Sequence, residues 1–474
     1  MQTLRASANC PSCGAPFEFM EGANVWRCPF CNLPLLFQSP NHILSYYLEP
    51  KSGQKQIPFL VDRFRKENGE SLSKKVEEAN LCYLPYWRFT SEVFYALIDH
   101  SFSGSIEEGR EAEILSREWD TNFPAHVSND LGLPTLGMRP EWLKLRLLTD
   151  GSLIQVGEVL ELELDSLSAK DQALQSFHLL LETKETSGRE LIVKPLSEIL
   201  SLIYFPLWVV NFIAGGGSHH QIIDGITGRT LKQSAGYFEL KRNGGGQAQE
   251  LCSPKIVPHR CPECGWDLPL DPFHLVFPCG NCDRIWKISD SGYVPIVRNI
   301  AKAEEGRSTN PGSSVGYYPF WVFETKPQKE RTFSIQDLAQ LLPSEIGWFK
   351  VQDKSRPFLF YIPAFEMKNL GKIPTISLAF TRSQPDFKEE TKEKTALVGA
   401  VRSEEDAKRI AEILWLSLIS SKMNLDFDQW KDVLFENGTM IWFPFYEEGN
   451  FLEDAVTGYA FQRIKSPGSQ PLHQ

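Results

Sequence analysis

The chain carries Cys10-Pro-Ser-Cys13-Gly and, 14 residues later, Cys28-Pro-Phe-Cys31-Asn. It then repeats the arrangement, with Cys261-Pro-Glu-Cys264-Gly and, after the same 14 residues, Cys279-Gly-Asn-Cys282-Asp. A tight turn brings both sulfurs of a Cys-x-x-Cys loop to one side, and two such loops close a tetrahedral cage of four thiolates. The residue after each second cysteine must bend into left-handed backbone so that amides face sulfur. Gly14, Asn32, Gly265 and Asp283 all tolerate that conformation. Spacing and turn chemistry are separate constraints, and here they agree. The reading is two zinc ribbons, each with one structural Zn2+, held by Cys10, Cys13, Cys28 and Cys31 and by Cys261, Cys264, Cys279 and Cys282. Four thiolates saturate zinc and leave no position for water or substrate, so the pattern points to architecture and not to catalysis at the metal.

A repeated ribbon prompts a search for the rest of the repeat. Tyr83-Leu-Pro85-Tyr-Trp87-Arg88-Phe89 and Tyr204-Phe-Pro206-Leu-Trp208 return as Tyr317-Tyr-Pro319-Phe-Trp321 and Ile441-Trp-Phe-Pro444-Phe-Tyr446. Asp224-Gly-Ile-Thr227-Gly228 returns as Asp454-Ala-Val-Thr457-Gly458. Order is kept while the offsets drift: 251 for the ribbons, 234 and 238 for the two prolines, 230 for the aspartates. Loop insertions and deletions account for such drift. Residues 1–243 and 251–465 therefore read as two diverged copies of ribbon, aromatic-proline strand, helix, aromatic-proline strand and hairpin. The fold class is α+β, each copy a four-cysteine zinc ribbon followed by a mainly antiparallel sheet packed with one or more helices. Boundaries fall at 1–40 for ribbon one, 41–243 for module one, 244–258 for a glycine-rich linker, 259–290 for ribbon two and 291–474 for module two.

Within the modules, Val93 to Ile98 reads as strand. Proline inside a strand requires an edge, a bulge or a first position, because it cannot donate to the ladder. Val156 to Leu164 alternates apolar residues with glutamate and reads as a half-exposed strand. Asp171 to Lys184 reads as a helix capped by Ser168, with Leu174, Phe177, Leu180 and Leu181 as its stripe. Glu404 to Ser420 reads as a largely buried helix. Asp-Gly and Thr-Gly mark the hairpin turn after residue 223.

Charge and missing motifs narrow the function. The 60 acidic against 49 basic residues give a formal charge of -11, which removes whole-molecule attraction for a polyanion. Aromatic platforms for bases come with interleaved Lys and Arg. No basic residue lies from Leu202 to Gly228 or from Val315 to Thr325, and only Arg88 stands near Trp87, so these aromatics read as core. In the first ribbon Arg5 and Arg27 balance Glu18 and Glu21. Phosphate-loop, zinc-protease and nucleophile-elbow motifs are missing from the sequence. His219 and His220 point to opposite faces of a strand, Gly215 to Gly217 form a turn, and Glu158, Glu161, Glu163 and Asp165 read as the wet face of a strand. Cys82 reads as a packed small residue. Eight of ten cysteines sit in the paired motifs, the chain opens without an apolar leader, and the apolar run Leu202 to Ala214 falls short of a membrane span. The expectation is a cytoplasmic protein with no transmembrane segment.

The Cys-Pro-x-Cys-Gly ribbon, Tyr83 to Arg88, Leu136-Gly-Met-Arg-Pro140, the Pro-x-Trp strand ending in Asp-Gly-x-Thr-Gly, and Ile362-Pro-Ala-Phe365 together resemble a group of uncharacterised bacterial zinc-ribbon proteins. Some of these carry a helicase-like label that reflects ribbon similarity alone, and this chain lacks the nucleotide-binding motifs of a helicase. The resemblance implies zinc and fold and supplies no activity. The function expected is that of a non-enzymatic adaptor or scaffold for a protein partner. The alternative is a nucleic-acid-associated accessory factor reading through its ribbons, and an enzyme with a site between the modules stands last.

Overall fold

The computed structural model describes residues 4–38, 43–70, 74–99, 112–126, 144–148, 157–182, 189–239, 255–289, 292–301, 314–327, 332–341, 353–367, 369–385, 387, 396–420, 432–449 and 451–462. Leu136 to Pro140, Cys252 and most of the linker, 244–254, lie outside them. The architecture is α+β and mostly sheet: a ten-stranded sheet, a six-stranded sheet, two three-stranded sheets and a few helices. None of the described helices is long and apolar enough to cross a membrane.

Two long antiparallel strands, Lys75–Asp99 and Arg189–Ala214, form the spine of the large sheet. A shorter pair, Ser314–Pro327 and Val433–Glu448, forms the spine of the six-stranded sheet. Tyr83 lies opposite Pro206 in the first pair, and Tyr317 opposite Pro444 in the second. Pro85, Pro206, Pro319 and Pro444 thus occupy strand interiors, where a missing N–H should break a ladder.

The outer neighbours explain how these prolines are tolerated. Tyr86 pairs with Pro124 at the end of one flanking strand, and Tyr83 pairs with Val159 of the next, which leaves Pro85 at the handover. Pro206 stands between the strand reaching Leu207 through Asp224 and the one reaching Tyr204 through Tyr47. Pro319 falls between partners Pro363 and Leu397, and Pro444 between Asp454 and Ile300. At each handover the proline carbonyl accepts the N–H of a neighbouring segment: Ala125 at 2.8 Å, Gly225 at 2.9 Å, Ala364 at 2.9 Å and Ala455 at 3.0 Å. The edge that proline requires is therefore local, one residue wide, inside a central strand.

The turns after the second proline of each pair also match. Asp224 Oδ1 accepts from the N–H of Ile226 at 2.7 Å and of Thr227 at 3.1 Å, and its Oδ2 accepts the Thr227 hydroxyl at 2.7 Å. Asp454 takes Val456 N–H at 3.0 Å, the Thr457 N–H, and the Thr457 hydroxyl at 2.6 Å. Gly228 and Gly458 supply the positive φ, 68° and 76°, that ends each turn. Hydrogen bonds to a buried charge are worth ~1.5–3 kcal/mol. Asp224→Ala is expected to destabilise the protein by about that amount, read as a lower denaturant midpoint; an unchanged midpoint would count against the turn's role.

Helices Ser166–Glu182 and Glu404–Ser420 are both 17 residues long. The first starts five residues before the position read from sequence, and its cap is Asp165, whose Oδ1 accepts the Ser168 N–H at 2.8 Å. Its buried face is Ala169, Ala173, Phe177 and Leu181; Leu174 and Leu180 are only half-buried. Ala407, Ala411, Trp415 and Ile419, each 238 residues on, are likewise buried. The expected strand Val156 to Leu164 reduces to Glu158–Val159. Past it the chain leaves the ladder, because the N–H groups of Glu163 and Leu164 both turn to the carbonyl of Ala125.

Period two along the first long strand decides the layers. Tyr83, Trp87 and Phe89 face helices Ile57–Glu67 and Ser166–Glu182, whereas Cys82, Leu84 and Tyr86 face ribbon one. Beyond the bulge at Leu196 to Ile199, Val93, Tyr95 and Leu97 pack against Phe177 and Leu181. Phe94, Ala96 and Ile98 join the core that contains helix Glu404–Ser420. The strand that reads as a continuous apolar run is thus a wall buried on both faces, with a helix from each half of the chain against it.

Candidate metal centres

Four knuckles build the two centres with one backbone solution. In each, the amide four residues on closes onto the carbonyl of the first cysteine: Gly14 N–H to Cys10 O at 2.9 Å, Asn32 to Cys28 at 3.0 Å, Gly265 to Cys261 at 2.9 Å and Asp283 to Cys279 at 3.1 Å. Those four residues have φ of 73°, 62°, 72° and 59°, the left-handed values their types permit. The first cysteine of each pair is buried and the second is exposed or half-buried.

Sulfur spacing tests the fit of a metal. Cys10 and Cys31 stand 3.6 Å apart and Cys13 and Cys28 3.8 Å; in the second centre Cys261–Cys282 and Cys264–Cys279 are each 3.6 Å. A tetrahedron with metal–sulfur bonds of about 2.3 Å has edges of about 3.8 Å. The eight cysteines named from spacing come together in two groups of four, and each group can hold a metal ion.

The ribbons lock together. Strand Lys255–Pro258 pairs antiparallel with Pro34–Gln38 of ribbon one. Asn24 N–H donates to Pro272 O at 2.6 Å, and Val25 and Leu36 pack with Cys261, Cys279, Phe277 and Trp286 in one cluster. His259, fully buried beside them, touches Tyr293 OH through Nδ1 and Pro269 O through Nε2 at 3.0 Å. Burial lowers its pKa to about 4, so it packs as a neutral ring.

Ribbon one is seated on the sheet by a buried ion pair. Glu21, read from sequence as a surface counter-charge, is turned inward to Arg88 because the hairpin turn Glu21-Gly22 abuts the sheet; a Cβ at Gly22 would collide with Ile199. Ser201 donates to Glu21 at 2.6 Å, and Arg88 also makes a two-pronged contact with Asp120, at 2.7 and 3.2 Å. Nothing local marks Glu21 as buried; Arg88, the charge inside the apolar run Tyr83 to Phe89, was the available signal.

The remaining polar residues singled out from sequence do not assemble. His219 stacks on Phe212 at 5.6 Å while His220 Nδ1 meets Gly236 O at 2.9 Å, on opposite faces as the pleat requires. Cys82 is buried, its pKa raised to about 12 by desolvation, which fits a packing role. Trp87, Trp208 and Trp321 are buried and their indole N–H groups bond Leu164 O, Ser52 O and Arg402 O, so they serve the core.

A second charged cluster lies where the halves meet. At the bulge, Ser197 N–H donates to Asp406 at 3.2 Å, and Arg409 donates to Pro195 O at 2.7 Å and Glu198 at 2.8 Å. Glu92 faces Arg402, Glu118 and Asp406 there, and burial is the main cause raising its pKa from 4.5 to about 7. Asp406 is shifted upward for the same reason. The folded protein therefore holds a proton on Glu92 that the unfolded chain releases near pH 4.5. Its contribution is full below pH 4.5 and is lost as pH rises through about 7. Glu92→Gln is expected to raise the melting temperature at alkaline pH and to flatten the fall in stability between pH 4.5 and about 7. A variant with the parent's pH profile would remove Glu92 from this role.

Against known proteins, the chain matches no family model, no curated protein and no solved structure.

Proposed function

We propose that both centres hold zinc as structural ions, and that the protein is a two-copy scaffold whose ribbons brace α+β modules for a protein partner. The observation that carries this is the saturated cage: four sulfurs at tetrahedral spacing, twice, each built into the packing that joins ribbon to ribbon. Binding of the order of ~10–16 kcal/mol at such a site is folding energy for a ribbon with little core of its own. The two-copy reading is supported by equal spacing of unlike features. Val159 and Leu397 pair with equivalent tyrosines, both helices begin and end 238 residues apart, and Pro206 and Pro444 keep the same offset.

Metal analysis of freshly purified protein tests the first part, and fewer than about two zinc ions per chain would sink it. Crosslinking at native abundance tests the second, where a stoichiometric protein partner supports the scaffold and its absence counts against it. A nucleic-acid reading has one observation in its favour: Phe30 and Trp266 stand 66% and 61% exposed on the knuckles. A salt-titrated binding assay decides between the two, since tight binding with a steep salt slope belongs to nucleic acid.

A further inference from the structure

The two centres share a backbone and differ in what surrounds their sulfurs. In ribbon two the indole N–H of Trp286 donates to Cys261 Sγ at 3.2 Å, and the Asn281 side chain hydrogen-bonds the Cys264 sulfur. The residues 251 positions earlier are Leu35 and Phe30, whose side chains carry no donor. Leu35 is buried in the core beneath ribbon one, and Phe30 faces solvent. A hydrogen bond to a thiolate draws charge from sulfur and makes it a weaker nucleophile and a more firmly held ligand. Access differs in the same direction. Cys13 and Cys31 are both exposed, whereas in ribbon two Cys264 is exposed and Cys282 is partly covered by the inter-ribbon cluster.

We propose that the centres divide their roles: ribbon one is the reactive centre, open to soft electrophiles and able to release its metal, and ribbon two is the permanent one. The inference rests on the zinc reading above. The chemistry is addition to an electron-poor alkene. The Sγ lone pair of Cys13 or Cys31 attacks one alkene carbon and forms the C–S bond, the π pair moves to the second carbon, and that carbon takes a proton from water. The resulting thioether carries no charge and holds zinc poorly, so the cage opens. Opening it withdraws Val25 and Leu36 from the inter-ribbon cluster and frees the strand paired with Lys255–Pro258, which passes the event to ribbon two and to the Arg88 seat.

The test treats the full-length, two-zinc protein with limiting N-ethylmaleimide, follows zinc with a chromophoric chelator and maps labelled cysteines by mass spectrometry. One zinc is expected to leave roughly tenfold faster than the other, with label first on Cys13 and Cys31. Trp286→Phe and, as a surface change that leaves packing alone, Asn281→Ala are each expected to speed the slow phase and leave the fast one unchanged. Release of both ions in one phase, first labelling at Cys264 or Cys282, or variants whose slow phase equals the parent's would overturn the inference. Protein that contains no zinc as purified would overturn the zinc reading itself, so the two failures are distinguishable.

Discussion

Cys28→Ser is expected to leave the protein with one bound zinc and an unfolded first ribbon. Cys28 is fully buried, its knuckle closes through Asn32, and its sulfur stands 3.8 Å from that of Cys13, so a neutral hydroxyl there removes a ligand that nothing nearby can replace. Binding free energy of the order of ~10 kcal/mol then no longer offsets the conformational entropy of the ribbon. The loss does not stop at residue 38. Strand Lys255–Pro258 loses its partner, Glu21 leaves Arg88, and the inter-ribbon cluster loses Val25 and Leu36. Hydrogen exchange should therefore rise across residues 4–38 and 255–258 while helix Ser166–Glu182, on the other face of the sheet, stays protected. Two zinc ions per chain with native protection in the variant would contradict this chain of consequences.

Arg88→Met is the second large effect. Arg88 and Glu21 are both almost wholly buried, and Asp120 completes the arginine's contacts. Removing the guanidinium leaves the Glu21 carboxylate under the ribbon with the Ser201 hydroxyl and far from water. Breaking a buried pair from one side costs about 3–5 kcal/mol, whereas replacing both partners by apolar groups is often neutral. The single variant should unfold at clearly lower denaturant, and the double variant Glu21→Met with Arg88→Met should recover most of the difference. Equal midpoints for the single and the double would mean that the uncompensated charge is not the cause.

The features legible in the sequence share one property, that their cause is a few residues long. Cysteine spacing and the residue after each second cysteine determine a knuckle by themselves, and the Asp-x-x-Thr-Gly turn carries both its acceptor and its donors. The buried helix Glu404–Ser420 was legible because its apolar residues nearly encircle it, so no choice of face was needed. Helix Ser166–Glu182 was harder: its buried stripe is built on Ala169 and Ala173, whose small size lets it lie close to the sheet and gives a weak periodic signal. The alternation from Val156 to Leu164 is real, but a period of two says only that faces alternate. It does not say that a ladder is present to pair with.

Contacts between residues far apart in the chain were decided by the tertiary structure. By itself the sequence determined the two four-sulfur cages, the tight turns and the four prolines in aromatic strands. Only the fold decided that those prolines sit at strand handovers, that the apolar run Val93 to Ile98 is walled by helices from both halves, and that Glu21 is buried against Arg88. The physical reason is that a turn's energy depends on its own backbone, while burial of a charge or of both faces of a strand depends on what packs there. Here that packing comes from segments more than 60 and more than 200 residues away.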